Sequence, residues 1–191
     1  MKLVLAARLI AVTAAIALLI GCGRQTNDVN QPAVAIEKGD VCTVCGMYIE
    51  GQPGPRAEAY VDGVSKALKF GGTRDFFAFV TQPDEIHRLR SLYVQDTARI
   101  DWNHPSDSPS TFTNARKAYY VAWQPLAGEM GPTFASFARK SDAELFVNQH
   151  GGAILHFGQI TADLVSGLAD HCPTAASSFY ALAASCIAAK R

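Results

Sequence analysis

The segment AEAYVDGVSKALKFGGTRDFFAFVTQPDEIHRL, residues 57–89, decides the fold. Its first seven residues, Ala57 to Gly63, alternate as a strand does. Asp62-Gly63 is a hairpin signal, and Val64 to Gly72 reads as the returning strand. Thr73 is a suitable N-cap for a helix that places Phe76, Phe77 and Val80 on one face. Pro83 ends or interrupts that helix. SLYVQDTARI, residues 91–100, then returns as a strand. The same order recurs about 60 residues later, counted from Ala59 to Ala118. KAYYVAWQ (117–124) and EMGPTFASFA (129–138) read as strands. SDAELFVNQH (141–150) reads as a helix, with Ser141 as N-cap and Glu144 completing a capping box. Gly151-Gly152 stops it, and AILHF (153–157) is the last strand. Two ββαβ-type units, about 57–100 and 117–160, predict an α+β domain with antiparallel sheets. Between them DWNHPSDSPSTFTNAR (101–116) is a loop by composition. The residue identity between the two units is poor, so the repeat rests on pattern.

Both ends of the chain read differently. Residues 1–21 carry Lys2 and Arg8, then an apolar run from Leu9 to Ile20, then a small residue. That is the pattern of a signal peptide, with an apolar run too short for a comfortable membrane span. LIGC, residues 19–22, resembles a bacterial lipobox, which implies cleavage before Cys22 and lipidation of its thiol. Gly23 stands where inner-membrane lipoproteins carry aspartate, so the expected anchor is the outer membrane, facing the periplasm. Loss of residues 1–21 removes two basic groups and no acid, leaving 15 basic against 17 acidic residues, a net charge of −2. A chain of 191 residues with no net positive charge is long enough for one packed domain and is a poor partner for nucleic acid. Residues 22–40 are polar and aperiodic, and read as a flexible tether. Residues 161–191 form an Ala-rich tail, helical in part, with Cys172 and Cys186. In an oxidising compartment these two can pair; they could instead hold a second metal ion, though their spacing does not support one.

The chemistry concentrates in DVCTVCGMYIEGQPGP, residues 40–55. Cys42 and Cys45 form a C-x-x-C pair, and Met47 follows. Beyond Met1 the chain has one further methionine, Met130, flanked by Gly128, Gly131 and Pro132. Three chemistries compete for the pair. A thioredoxin-like thiol–disulfide oxidoreductase using Cys42 and Cys45 wants a helix after the motif, and the glycines and prolines here oppose one. A structural zinc site wants a second pair or histidines at metal spacing, which are missing. A soft monovalent ion wants two or three sulfurs, and thiolate with thioether selects Cu(I). Cys45 and Met47, at i and i+2 of an extended chain, share a face, and Met130 would complete a low-coordinate site. One thiolate among neutral ligands leaves the ion exchangeable, as a carrier needs.

CTVCGMYI, PGPRAEAYVDG, LYVQD, AYYVAWQPLAGEMGPTFASFA and NQHGGAILHF together resemble NosL, the nitrous-oxide-reductase accessory protein family. The likeness spans roughly residues 40–160. It implies a lipid-anchored periplasmic Cu(I) chaperone that supplies the copper centres of nitrous oxide reductase in denitrifying bacteria, acting with a membrane maturation complex or the apo-reductase. It implies two ββαβ units similar in topology to the organomercurial lyase MerB. Delivery makes no bond in a substrate, so the chain reads as a non-enzyme, and a monomer or weak homodimer is expected. Carried over by position, the expected ligands are Cys45, Met47 and Met130, with Cys42 a less clear one. Family members often carry cysteine and methionine where this chain has FGGTRDFF (70–77), and many end in a His/Met-rich tail that is lacking here.

Other polar residues are weaker candidates. His104 in the 101–116 loop and His156 in the last strand are secondary ligand candidates. His150 at a helix end is favoured by the helix dipole without any metal, and His87 reads as a surface residue. Arg74, Asp75 and Asp96 read as surface or cap charges. No nucleophile–base pairing has a catalytic context.

Overall fold

The computed structural model describes residues 31–188. The signal peptide, Cys22 and the first part of the expected tether lie outside the described residues. No helix among the described residues is long and apolar enough to cross a membrane.

Both ββαβ units are present and share one topology. In the first, β1 (Ala57–Val61), β2 (Leu68–Phe70), α1 (Thr73–Val80) and β3 (Leu89–Gln95) follow one another. The one-turn helix α2 (Pro83–Ile86) precedes β3, and β4 (Phe112–Asn114) follows it at the edge. The sheet order is β2-β1-β3-β4, and all pairs are antiparallel. In the second unit β5 (Tyr119–Ala122) lies between β8 (Ala135–Phe137) and β9 (Ala153–His156), again antiparallel. The helix α3 (Lys140–His150) joins β8 to β9. In both units the first strand is therefore central, flanked by its hairpin partner and by the strand that follows the helix. The short helix α4 (Ala162–Ser166) starts the tail.

Several local expectations are corrected. The stretch 129–138 is not one strand. Ala127–Gly128 (β6) and Gly131–Pro132 (β7) pair as a minimal hairpin around Glu129-Met130. Gly131, at φ 87°, supplies the left-handed turn residue, and the strand resumes only at Ala135. Ser141 is not the N-cap: α3 begins at Lys140 with Arg139 as cap, and Arg139 bonds Asp142. Thr73 lies inside α1 and spends its hydroxyl on the Phe134 carbonyl, at 2.6 Å. Pro83 interrupts the helical run as expected: α1 ends at Val80 and Pro83 opens α2, since its ring cannot sit within a continuing helix. Gly151 stops α3 at φ 82°, donating its N–H to the Val147 carbonyl.

The core lies between the units. Ala57, Ala59 and Val61 of β1, Phe70, and Phe76, Phe77 and Val80 of α1 meet Tyr120, Ala122, Phe134 and Leu155. The Phe77 ring touches those of Phe76, Tyr120, Phe134 and Phe157, at centroid distances of 4.9–5.4 Å. The opposite face of the second sheet, Val121, Ala135 and Phe137, packs on Ala143, Phe146 and Val147 of α3. Ser136 stitches the two sheets together: its hydroxyl donates to the Gln95 carbonyl at 2.6 Å.

Residues 31–40, expected as tether, are a docked strap. They cover the outward face of β1, so all five β1 residues are buried. Tyr60 donates to the Pro32 carbonyl, Tyr93 to that of Gln31, and Lys69 to that of Ala35. Val34 N–H donates to the Glu58 carboxylate, and Ile36 is buried. At the other end Cys172 and Cys186 form a disulfide, and Ile187 bridges to Gly152. The tail thereby closes on the second unit.

Candidate metal centre

Two turns and one helix start build the site. The Cys42–Met47 turn is closed at its base by the Val41–Tyr48 bridge and by Ile49 N–H on the Asp40 carbonyl. Within it Cys42 N–H donates to the Met47 carbonyl and Gly46 N–H to that of Cys42. Gly46 sits at φ 72°, a conformation that glycine reaches without a Cβ penalty. The chain between Cys45 and Met47 is thus a turn, and the strand alternation invoked for them does not apply. Below the turn Ile49 is fully buried and pins it to the core. Arg56, buried at the start of β1, adds a guanidinium bond to the Ile49 carbonyl and ion-pairs with Asp107.

The β6–β7 hairpin is clamped to the first turn of α1. Thr133 Oγ1 accepts from Arg74 N–H, Thr73 Oγ1 lies 3.0 Å from Thr133 Oγ1, and the Arg74 guanidinium donates to the Met130 carbonyl at 3.3 Å. Asp75, Glu129 and Met130 share one small cleft. The clamp brings four groups together: the sulfurs of Cys42 and Cys45 and one carboxylate oxygen each of Asp75 and Glu129, all within 4.8 Å of one another. Cys42 Sγ donates to Asp75 Oδ2 at 3.1 Å, and Cys45 Sγ to Glu129 Oε1 at 3.5 Å. Both thiols are free.

Cys42 is buried and Cys45 only partly so. Met47, in the same turn as the cysteines, is 38% exposed, and Met130, which lines the small cleft, is 50% exposed. Burial pushes the Cys45 thiol well above its ordinary range, and its hydrogen bonds with Cys42 and Asp75 add to the rise. A turn rather than the helix that a redox C-x-x-C wants follows the pair. Burial likewise raises the Glu129 carboxyl.

The structure brings Cys42 and Cys45 together and carries the Met130 hairpin to the same cleft. It does not bring His104 or His156 there. His104 is 89% exposed and sits 3.8 Å from Asp101. His156 is exposed and packs at a tilt against the Tyr119 ring, at 5.2 Å between centroids. Asp75, read from sequence as a surface or cap charge, is buried against Cys42. Glu129 was overlooked, because an acid beside a methionine in a glycine-rich turn carries no periodic signal. In the structure Gly71 makes room for that carboxylate: a Cβ there would lie 1.9 Å from Glu129 Oε2.

Residues 33–165 match the NosL family model. A copper-binding lipoprotein NosL of Stutzerimonas stutzeri is 36% identical over 173 residues, covering 85% of this chain and 88% of that protein. A second, from Achromobacter cycloclastes, is 32% identical over 163 residues, covering 83% and 82%. The crystal structure of the copper chaperone NosL from Shewanella denitrificans superposes with a TM-score of 0.66 at 40% identity, covering 70% of this chain and 98% of that one. On this evidence the chain belongs to the NosL family.

Proposed function

We propose that the protein is a lipid-anchored periplasmic Cu(I) carrier, held to the outer membrane through Cys22, that delivers copper to nitrous oxide reductase during its assembly. It transfers an ion and makes no bond in a substrate, so it is not an enzyme. The supporting observation is the contact of the Cys42–Met47 turn with the Met130 hairpin, made by Cys45 Sγ on Glu129 Oε1 at 3.5 Å, beside the small cleft that Glu129 and Met130 line. Cu(I) is soft and takes two or three sulfur ligands. Cys45 as thiolate with the Met47 and Met130 thioethers makes a neutral complex with the monovalent ion. The thiol yields its proton on loading, so loading is favoured by a proton-accepting carboxylate at hydrogen-bond range. Glu129 stands there. The two thioethers are exposed, so a partner's sulfur or imidazole can displace them one at a time without unfolding the carrier. The relatives named as copper-binding lipoproteins and the copper chaperone structure support the same reading.

The test is anaerobic titration of the detergent-extracted protein with Cu(I) against a colorimetric Cu(I) chelator. The expected outcome is about one tight equivalent, lost in Cys45→Ser and in Met130→Ala. Copper binding of wild-type strength in both variants would remove these residues from the site. Mass spectrometry of the N-terminal peptide checks Cys22 lipidation, and membrane fractionation checks the anchor.

A further inference from the structure

We propose that the end of the domain formed by α2 and the turn between β1 and β2 is a membrane-facing surface that seats on a phospholipid bilayer, so that the metal cleft points away from the membrane. This orientation rests on the lipid anchor at Cys22 proposed above, and adds which face of the domain that anchor draws down.

The docked strap fixes where the anchor leaves. Tyr60 donates to the Pro32 carbonyl, Glu58 accepts from Val34 N–H, and Ile36 N–H donates to the carbonyl of Asp107, the ion-pair partner of Arg56. Residues 32, 34 and 36 thus stand over residues 60, 58 and 56, and the strap runs antiparallel to β1. Gln31 therefore lies toward the Val61 end, where it borders one groove with Ser65, Lys66 and Ala67 of the turn. The metal cleft is at the other end of the same elements. Arg56, just before β1, bonds the Ile49 carbonyl beneath the Cys42–Met47 turn, while Val61 closes β1 against Leu89. The helix α1 likewise carries Asp75 at the cleft and ends at Val80, away from it.

Length turns this polarity into an orientation. Nine residue steps separate Cys22 from Gln31, a span of about 30 Å at most. A domain of this size is about 40 Å across. The anchor therefore holds the near end against the bilayer and leaves little slack for the far end, with the cleft, to turn onto it. Undocking of residues 31–40 would about double that reach, so the strap is what sets the orientation.

The near end has the chemistry of a bilayer contact. Ile86 of α2 and Val64 of the turn are 51% and 36% exposed. Ile86 stands at an apolar cavity of about 340 Å³ that Val80, Leu89, Ile160 and Phe157 also border. At its rim the Arg116 guanidinium lies over the Phe157 ring, 5.5 Å from the centroid, and makes no ion pair among the described residues. Its stem can lie on apolar surface while the charge meets a lipid phosphate. Asp62 and Glu85 on this surface are neutralised by Arg90 and Arg88. Lys66 adds a cation, and Asp84 and Asp163 offset it. The seat therefore depends on apolar contact and one guanidinium rather than on a polybasic patch.

The test places a tryptophan reporter at either end of the full-length, lipidated protein. Ile86→Trp and Val64→Trp mark the near end; Tyr48→Trp, at a position 67% exposed, marks the cleft end. Each variant is floated with vesicles of phosphatidylethanolamine and phosphatidylglycerol that contain brominated phosphatidylcholine, and the parent emission of Trp102 and Trp123 is subtracted. Circular dichroism confirms that each variant is folded. Expected is a loss of emission to the bromines at Ile86→Trp and Val64→Trp, and none at Tyr48→Trp. Arg116→Glu, which sets a like charge against lipid phosphate, should lower the loss at Ile86→Trp. Quenching at Tyr48→Trp equal to that at the near end, no quenching at any site in floated protein, or undiminished quenching in folded Arg116→Glu would overturn the proposal. Flotation and the mass of the N-terminal peptide read the anchor separately. Protein that carries no lipid and does not float removes the anchor and this orientation with it; floated protein with the reverse pattern removes the orientation alone.

Discussion

Glu58 makes a pH test of the docked strap. It is fully buried on the covered face of β1, one oxygen accepting from Val34 N–H and the other without a partner. Burial raises its pKa to about 7, against an ordinary 4.5; the Val34 N–H and then Lys69 pull it down, and Asp40 pushes it up. A carboxyl raised in the folded state binds its proton more tightly there than in the unfolded chain. Its contribution is most favourable at low pH and is lost as pH climbs from the unfolded value through about 7. At 1.36 kcal/mol per pKa unit, the cost that accrues between about pH 5 and about pH 8 is on the order of 2 kcal/mol. Urea unfolding of the disulfide-intact protein reads this as a fall of about 1 M in midpoint. Other groups titrate too, so the informative quantity is wild type minus Glu58→Gln. That difference should shift against the wild type by about 2 kcal/mol over this range. A difference flat with pH would mean that Glu58 is ionised and solvated, and that the strap does not seal the face of β1.

Two further outcomes follow from the packing. Phe77→Ala, which empties a site bordered by four rings, should cost about 4 kcal/mol in urea unfolding, and Phe79→Ala, only partly buried, about 2 kcal/mol or less; equal losses would refute the placement of the core. Cys186→Ser opens a disulfide spanning 14 residues and should cost about 3 kcal/mol; thermal unfolding unchanged by the substitution would mean that the tail is not held to Gly152.

Much of the fold was legible because it repeats. The alternation of Ala57, Ala59 and Val61, the Phe76–Phe77–Val80 face and the Gly151-Gly152 stop are local signals, and the structure places each where its period requires. The strap was misread because its polar composition is that of a linker. Its order comes from carbonyls bonded by Tyr60, Tyr93 and Lys69, partners 28–62 residues away that no local window sees. The same limit hid Glu129 and disguised Asp75. Sequence alone supplied the sulfur inventory, Cys42, Cys45, Met47 and Met130, since donor softness belongs to the side chain itself. It also supplied the repeated order of strands and helix. Only the tertiary structure decided that a hairpin clamped by Thr73 and Thr133 sets two carboxylates against two thiols. Contacts over such separations depend on how the units pack, and packing is a property of the whole chain rather than of any stretch within it.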